Sequence, residues 1–122
     1  MPKGPLRSLT RRRDFEAVFK KGTNSASRYI AVYARPNELN TNRLGLSVSK
    51  KVGKAVSRNR IKRLLREAMR KSLDGISLNY DFVLVARKPS AEGKLDDFVQ
   101  EIKRFLSRLT HEKDSDIVDK TL

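Results

Sequence analysis

The sequence predicts an α+β domain, an α/β sandwich in which helices flank a small sheet. Two observations predict it. Segments with 3.6-residue apolar periodicity are interspersed with segments rich in strand formers, in the order helix, strands, helix, strand, helix. The chain has 122 residues, 38% of them hydrophobic and 34% charged, enough for one core and too few for two.

Residues 1–8 contain Pro2, Gly4 and Pro5, which disfavour a helix, so this stretch is expected to be a flexible basic arm. Residues 11–21 place Phe15, Val18 and Phe19 on one helical stripe, with Gly22 at the expected C-terminal cap. RYIAVYAR at 28–35 and RLGLSVSK at 43–50 read as strands, and the loop-like 36–42 between them suggests an antiparallel pair. In the second strand Leu44, Leu46 and Val48 share one face. Gly45, Ser47 and Ser49 share the other, where something can approach closely.

Ser57 is a candidate cap for a helix reaching about residue 73, with Ile61, Leu64, Leu65, Ala68 and Met69 as its apolar stripe. YDFVLVAR at 80–87 is nearly continuously apolar, as a strand buried on both faces should be, and Pro89 ends it. A last helix over 95–109 carries Phe98, Val99, Ile102, Phe105, Leu106 and Leu109. Asp96 and Asp97 stand where they complement the helix dipole. Residues 9–110 are thus expected to form a single domain, and 111–122, without useful periodicity, a disordered tail.

The charge describes the partner. Twenty-eight Lys and Arg face fourteen Asp and Glu, a net +14, which calls for a polyanion. Residues 1–71 carry net +16 and residues 72–122 net −2, so the binding surface belongs to the first part. The absence of cysteine fits a reducing compartment, and no segment has the apolar length of a signal peptide or membrane span. The expected location is the cytoplasm, with no membrane partner.

The charge is densest on the helix after Ser57. Arg58, Arg60, Lys62, Arg63, Arg66, Arg70 and Lys71 accompany a single acid, Glu67. A solvated face would account for exposed cations, but such a face normally alternates sign. Lys62, Arg66 and Arg70 instead form a like-charge ladder at four-residue spacing, and Arg58 and Arg60 occupy a first turn whose dipole disfavours cations. A nucleic acid is the favoured occupant, ahead of a membrane surface or an acidic protein.

SRNRIKRLLRE at 57–67, preceded by LSVSKKVG at 46–53, resembles the bacterial ribonuclease P protein family with its Arg-Asn-Arg signature. DFEAVFKKG at 14–22, RYIAVY at 28–33 and YDFVLVARKP at 80–89 extend the resemblance, in family order, over about residues 9–109. The resemblance implies a mixed four-stranded sheet flanked by three helices, with a left-handed β-α-β crossover around the basic helix. That hand opposes the usual rule.

It further implies two RNA surfaces. Arg58, Asn59, Arg60, Lys62, Arg63 and Arg66, joined by Lys50 and Lys51, would contact the catalytic RNA. The two lysines could equally act by general attraction. Phe15, Phe19 and Tyr33, with Arg11, Lys20 and Lys21 as phosphate partners, would hold the single-stranded 5′ leader of precursor tRNA. Phe15 and Phe19 fit a core as readily as a cleft.

No catalytic residue, metal site or small-molecule substrate is expected in this chain. The lone histidine, His111, lies in the expected tail, and no His, Cys or carboxylate cluster has ligand spacing. The resemblance assigns the chemistry to Mg²⁺ on the RNA subunit. The function so implied is to assist that RNA in removing 5′ leaders from precursor tRNA. The rivals are a ribosomal or other structural RNA-binding protein, a stand-alone nuclease, and a DNA-binding regulator, for which no helix-turn-helix pattern is evident.

Overall fold

The most apolar strand takes the centre of the sheet. In a computed structural model, which describes the backbone of residues 6–121 and the side chains of residues 6–111, the elements are β1 (Arg7–Ser8), α1 (Arg12–Lys21), β2 (Thr23–Ala26), β3 (Ile30–Pro36), β4 (Arg43–Ser47), α2 (Ala55–Ser72), β5 (Tyr80–Ala86), a 3₁₀ turn (Lys88–Glu92) and α3 (Leu95–Thr121). The strands order β1-β4-β5-β3-β2 in one mixed sheet. β5 is buried along nearly its whole length, between antiparallel β3 and parallel β4.

Three expectations about the sheet are corrected. It has five strands, not four. The expected antiparallel pair is absent: the segments around 28–35 and 43–50 form β3 and β4, which are separated by β5. A 36–42 loop can return the chain to a strand two places away, and the more apolar β5 fills the gap because both its faces can then be buried. The third correction concerns the arm. Arg7 and Ser8 pair in parallel with Arg43 and Leu44, and Leu9 behind them is buried, so the end of the expected arm is a short edge strand. Residues 1–5 lie outside the described residues.

Alternation divides the sheet into two faces. Ile30, Val32, Ala34, Leu44, Phe82, Leu84 and Ala86 point to the main core. There they meet Ile61, Leu65, Ala68 and Met69 of α2 and Phe98, Ile102, Phe105, Leu106 and Leu109 of α3, the stripes read from periodicity, with Leu64 partly buried beside them. β4, α2 and β5 make the β-α-β crossover. α1 packs alone on the opposite face, where Leu9, Val18 and Val83 are buried.

The basic helix begins earlier than expected. Lys54 is its N-cap, because its carbonyl already accepts the N–H of Arg58 at 2.9 Å, and no side chain caps it. Ser57 is the third helical residue. The helix ends at Leu73, followed by Gly75 with φ of 77°, a conformation that glycine adopts at no steric cost. At α3 the Asp97 carboxylate accepts the Lys94 N–H at 2.8 Å, satisfying an orphan donor of the first turn. α3 continues past residue 109 through most of the expected tail. The side chains there lie outside the described residues.

Candidate nucleic-acid interface

The face under α1 consists of three rows of side chains running across the strands, as the strand register shows. Arg43, Asp81 and Arg35 make the first; Gly45, Val83, Tyr33 and Asn24 the second; Ser47, Val85, Ala31 and Ala26 the third. α1 lies across the second row. Phe15 sits on Gly45, where an added Cβ would come within 2.5 Å of the ring. Val18 is buried against the same patch as Val83. Phe19 meets Tyr33 edge-on at 4.8 Å, and Gly22 abuts the Ala34 carbonyl. The close approach foreseen at Gly45 is thus made by the chain's own Phe15.

The third row is left partly open. Ser47, Val85 and Ala31 are half-buried and Ala26 is exposed, while their alternates toward the main core are mostly buried. A floor of small and apolar side chains therefore adjoins Tyr33, which follows Ala31 by two on the same face of β3. Phe19 is 40% exposed and stands against Tyr33. Of the three candidate aromatic residues, Phe15 on Gly45 and Tyr33 are both half-buried against the same apolar cluster, and Phe19 is exposed against Tyr33. Lys20 and Lys21 are exposed in the last turn of α1, next to Phe19.

Arg11 is not brought to them. It stands at the N-cap of α1, about 15 Å of helix from Lys21, on the side of the first row. That row is ionic. Arg43 donates from Nε and Nη2 to both Asp81 oxygens at 2.7 Å, Asn37 donates to Asp81 at 2.9 Å, and Asp14 lies 3.6 Å from Arg43. Burial alone would raise the Asp81 carboxyl, but the hydrogen bonds from Arg43 and Asn37 outweigh it and hold the group below its ordinary value. Hydrogen bonding to Asp81 raises Arg43.

The second surface is the outer side of α2. Asn59, Arg60, Arg63, Arg66, Arg70 and Lys71 are exposed, and Arg58 and Lys62 half so. Among the described residues none of the seven cations of this helix forms an ion pair. Only Arg60 reaches a protein acceptor, the Gly93 carbonyl at a long 3.5 Å. Lys50 and Lys51 are exposed in the turn between β4 and α2. Sequence reasoning missed the floor residues Ala31 and Val85, whose openness depends on where α1 stops. It also missed Val56, an apolar side chain 83% exposed in the first turn of the basic helix.

Among the described residues no group of three or more His, Cys, Asp or Glu could hold a metal, and no helix is long and apolar enough to cross a membrane. A cationic helix without ion pairs on one face of the sheet, and a half-open row with an exposed aromatic ring on the other, define a nucleic-acid-binding protein of the small α+β class.

Comparisons with known proteins name the nucleic acid's context. The Ribonuclease P family model matches residues 4–110. The ribonuclease P protein component of Clostridioides difficile is 40% identical over 103 residues, 84% of this chain and 90% of the relative. That of Bacillus cereus is 52% identical over 80 residues, 65% and 70%. The solved RNase P protein of Staphylococcus aureus superposes with a TM-score of 0.74 at 34% identity, covering 86% of this chain and 96% of that one. The Thermotoga maritima protein gives 0.73 at 33%, covering 85% and 97%. The chain belongs to the ribonuclease P protein family: it is a protein subunit of an endoribonuclease that acts in tRNA processing, and its partner is RNA.

Proposed function

We propose that this chain binds the catalytic RNA of ribonuclease P through the outer face of α2 and the 5′ leader of precursor tRNA through the cleft between α1 and the sheet. The observation that carries the reading is the open third row. α1 covers the second row and leaves Ala31, Val85 and Ser47 half-buried beside Tyr33, against which Phe19 stands exposed. An apolar floor with aromatic rings and neighbouring lysines suits a single strand of varied sequence, since every base has an apolar face.

The two surfaces are joined by the chain itself. Ser47 ends β4 in the third row, and α2 begins eight residues later at Ala55, with Lys50 and Lys51 in between. A leader in the cleft and RNA on α2 would both run toward this connection, where Lys50 and Lys51 would screen repulsion between their phosphates. Mg²⁺ held by the RNA subunit would supply the activated water and stabilise the leaving oxygen. The side chains of this protein hold and orient, and its place of work is the cytoplasm.

The test is to titrate the chain onto bacterial ribonuclease P RNA and to measure the affinity of the assembled complex for precursor and for mature tRNA. The expected result is a stable complex that prefers the precursor. Failure to bind the RNA, or equal affinity for the two tRNAs, would contradict the reading.

A further inference from the structure

On the other side of α1 from the leader cleft, a groove of about 760 Å³ opens over the first row of the sheet. Its lining includes Arg11 and Arg13 from the start of α1, Arg35 and Pro36 from the end of β3, and Leu39 from the loop that follows. The acids at its base are already engaged. Asp81 and Asp14 both face Arg43, which holds Asp81 with two 2.7 Å hydrogen bonds. Arg11, Arg13 and Arg35 have no ion pair among the described residues, and Arg35 only adds to the positive field at Asp81. Glu38 is the one remaining acid of the lining.

The four arginines of the lining outnumber its three carboxylates by one, and Arg43 takes up Asp81 and Asp14. The guanidinium forks of Arg11, Arg13 and Arg35, without an ion pair among the described residues, match phosphate oxygens. The groove also carries apolar surface. Leu39 is 44% exposed, and Pro36 beside it is exposed as well. A free phosphate would leave those two side chains unused, whereas a ribose or base attached to the phosphate would cover them. We infer that this groove is a second RNA-backbone site, taking a phosphodiester on Arg11, Arg13 and Arg35 with the adjoining nucleoside against Leu39. It does not depend on the leader occupying the cleft, because α1 separates the two and they share no floor row.

The strand could come from the catalytic RNA or from upstream nucleotides of a long leader. The test uses the double variant Arg13→Gln/Arg35→Gln, with Lys103→Gln/Arg104→Gln on α3 as a charge-matched control. Leu39→Glu, in the exposed loop, is a further variant should the first not fold, judged by its melting curve. Affinity is measured from 50 to 200 mM salt for ribonuclease P RNA alone, and for the assembled complex with precursors bearing leaders of two and ten nucleotides. Losing two single-strand phosphate contacts lowers the slope of log K against log salt by about 1.4, so the wild-type advantage shrinks about sevenfold over that range. A reduced slope with RNA alone assigns the groove to the catalytic RNA. One confined to the ten-nucleotide leader assigns it to the leader. Unchanged slopes in every arm, or the same change in the control, would overturn the site; if the double variant does not fold, wild-type affinity in Leu39→Glu would do so.

Discussion

Truncating Tyr33 separates binding from stability, because the residue is half-buried and its two roles predict different readouts. Its ring meets Phe19 edge-on at 4.8 Å and lies in the row of Val83. Full burial of an aromatic ring is worth about 3 to 5 kcal/mol on truncation to Ala, so a half-buried one should cost about 2 kcal/mol. That leaves most of the stability of an ordinary domain, about 5 to 15 kcal/mol, and the variant stays folded at 25 °C. Loss of one base-stacking contact costs about 1 to 3 kcal/mol, which corresponds to roughly a 5- to 150-fold weaker Kd for leader-bearing tRNA. The assay compares Kd for precursor and mature tRNA with the complex assembled from wild type, Tyr33→Ala and Tyr33→Phe, alongside melting curves at one fixed salt concentration. The expected result is a loss confined to precursor tRNA in Tyr33→Ala, largely restored in Tyr33→Phe. Equal loss for both tRNAs, tracking a lowered melting temperature, would refute the stacking role and leave Tyr33 a packing residue.

Replacing Arg60, Arg63 and Arg66 together by Glu should leave circular dichroism unchanged, since all three are exposed, while RNA binding falls steeply and loses salt dependence by about 0.9 in slope per duplex phosphate; loss of the helical signal would show a structural role instead. Gly45→Ala places a Cβ about where the Phe15 ring now sits and should cost about 1 to 3 kcal/mol in denaturant titration through overpacking. Unchanged stability would show that Phe15 is not seated there. Because the Asp81 pKa is lowered on folding, its contribution is present above its unfolded value near 4 and is lost as pH falls through the folded value below that. Asp81→Asn should therefore cost about 3 kcal/mol near neutrality and flatten the acid limb of the melting-temperature profile; an unchanged acid limb would assign the dependence to other carboxylates.

The helices were legible because their apolar stripes are long. Ile61, Leu65, Ala68 and Met69 on α2 and Phe98, Ile102, Leu106 and Leu109 on α3 repeat often enough to fix the buried face. β5 was legible for a similar reason, since an unbroken apolar run has no polar face to expose. β2 escaped notice because Thr23–Ala26 is short, polar and at the sheet edge, and β1 because two residues show no period. The pairing of β3 with β4 was misread because nearness in sequence is a weak guide once a later strand can insert. In the candidate site, the cationic face of α2 followed from charge spacing along one helix. The open third row did not, since the openness of Ala31 and Val85 depends on where α1 crosses the sheet. Arg11 was grouped with Lys20 and Lys21 by sequence nearness, and the length of α1 separates them.

The central claim is that this chain works by supporting a catalytic RNA. The most direct measurement is cleavage of precursor tRNA at low Mg²⁺ by bacterial ribonuclease P RNA, with and without the chain, and by the chain alone. Little cleavage is expected from either component separately and strong cleavage from the two together, because the protein's cations would screen repulsion between the phosphates of the two RNAs. No stimulation of the RNA, or cleavage at the leader junction by the protein alone, would contradict it.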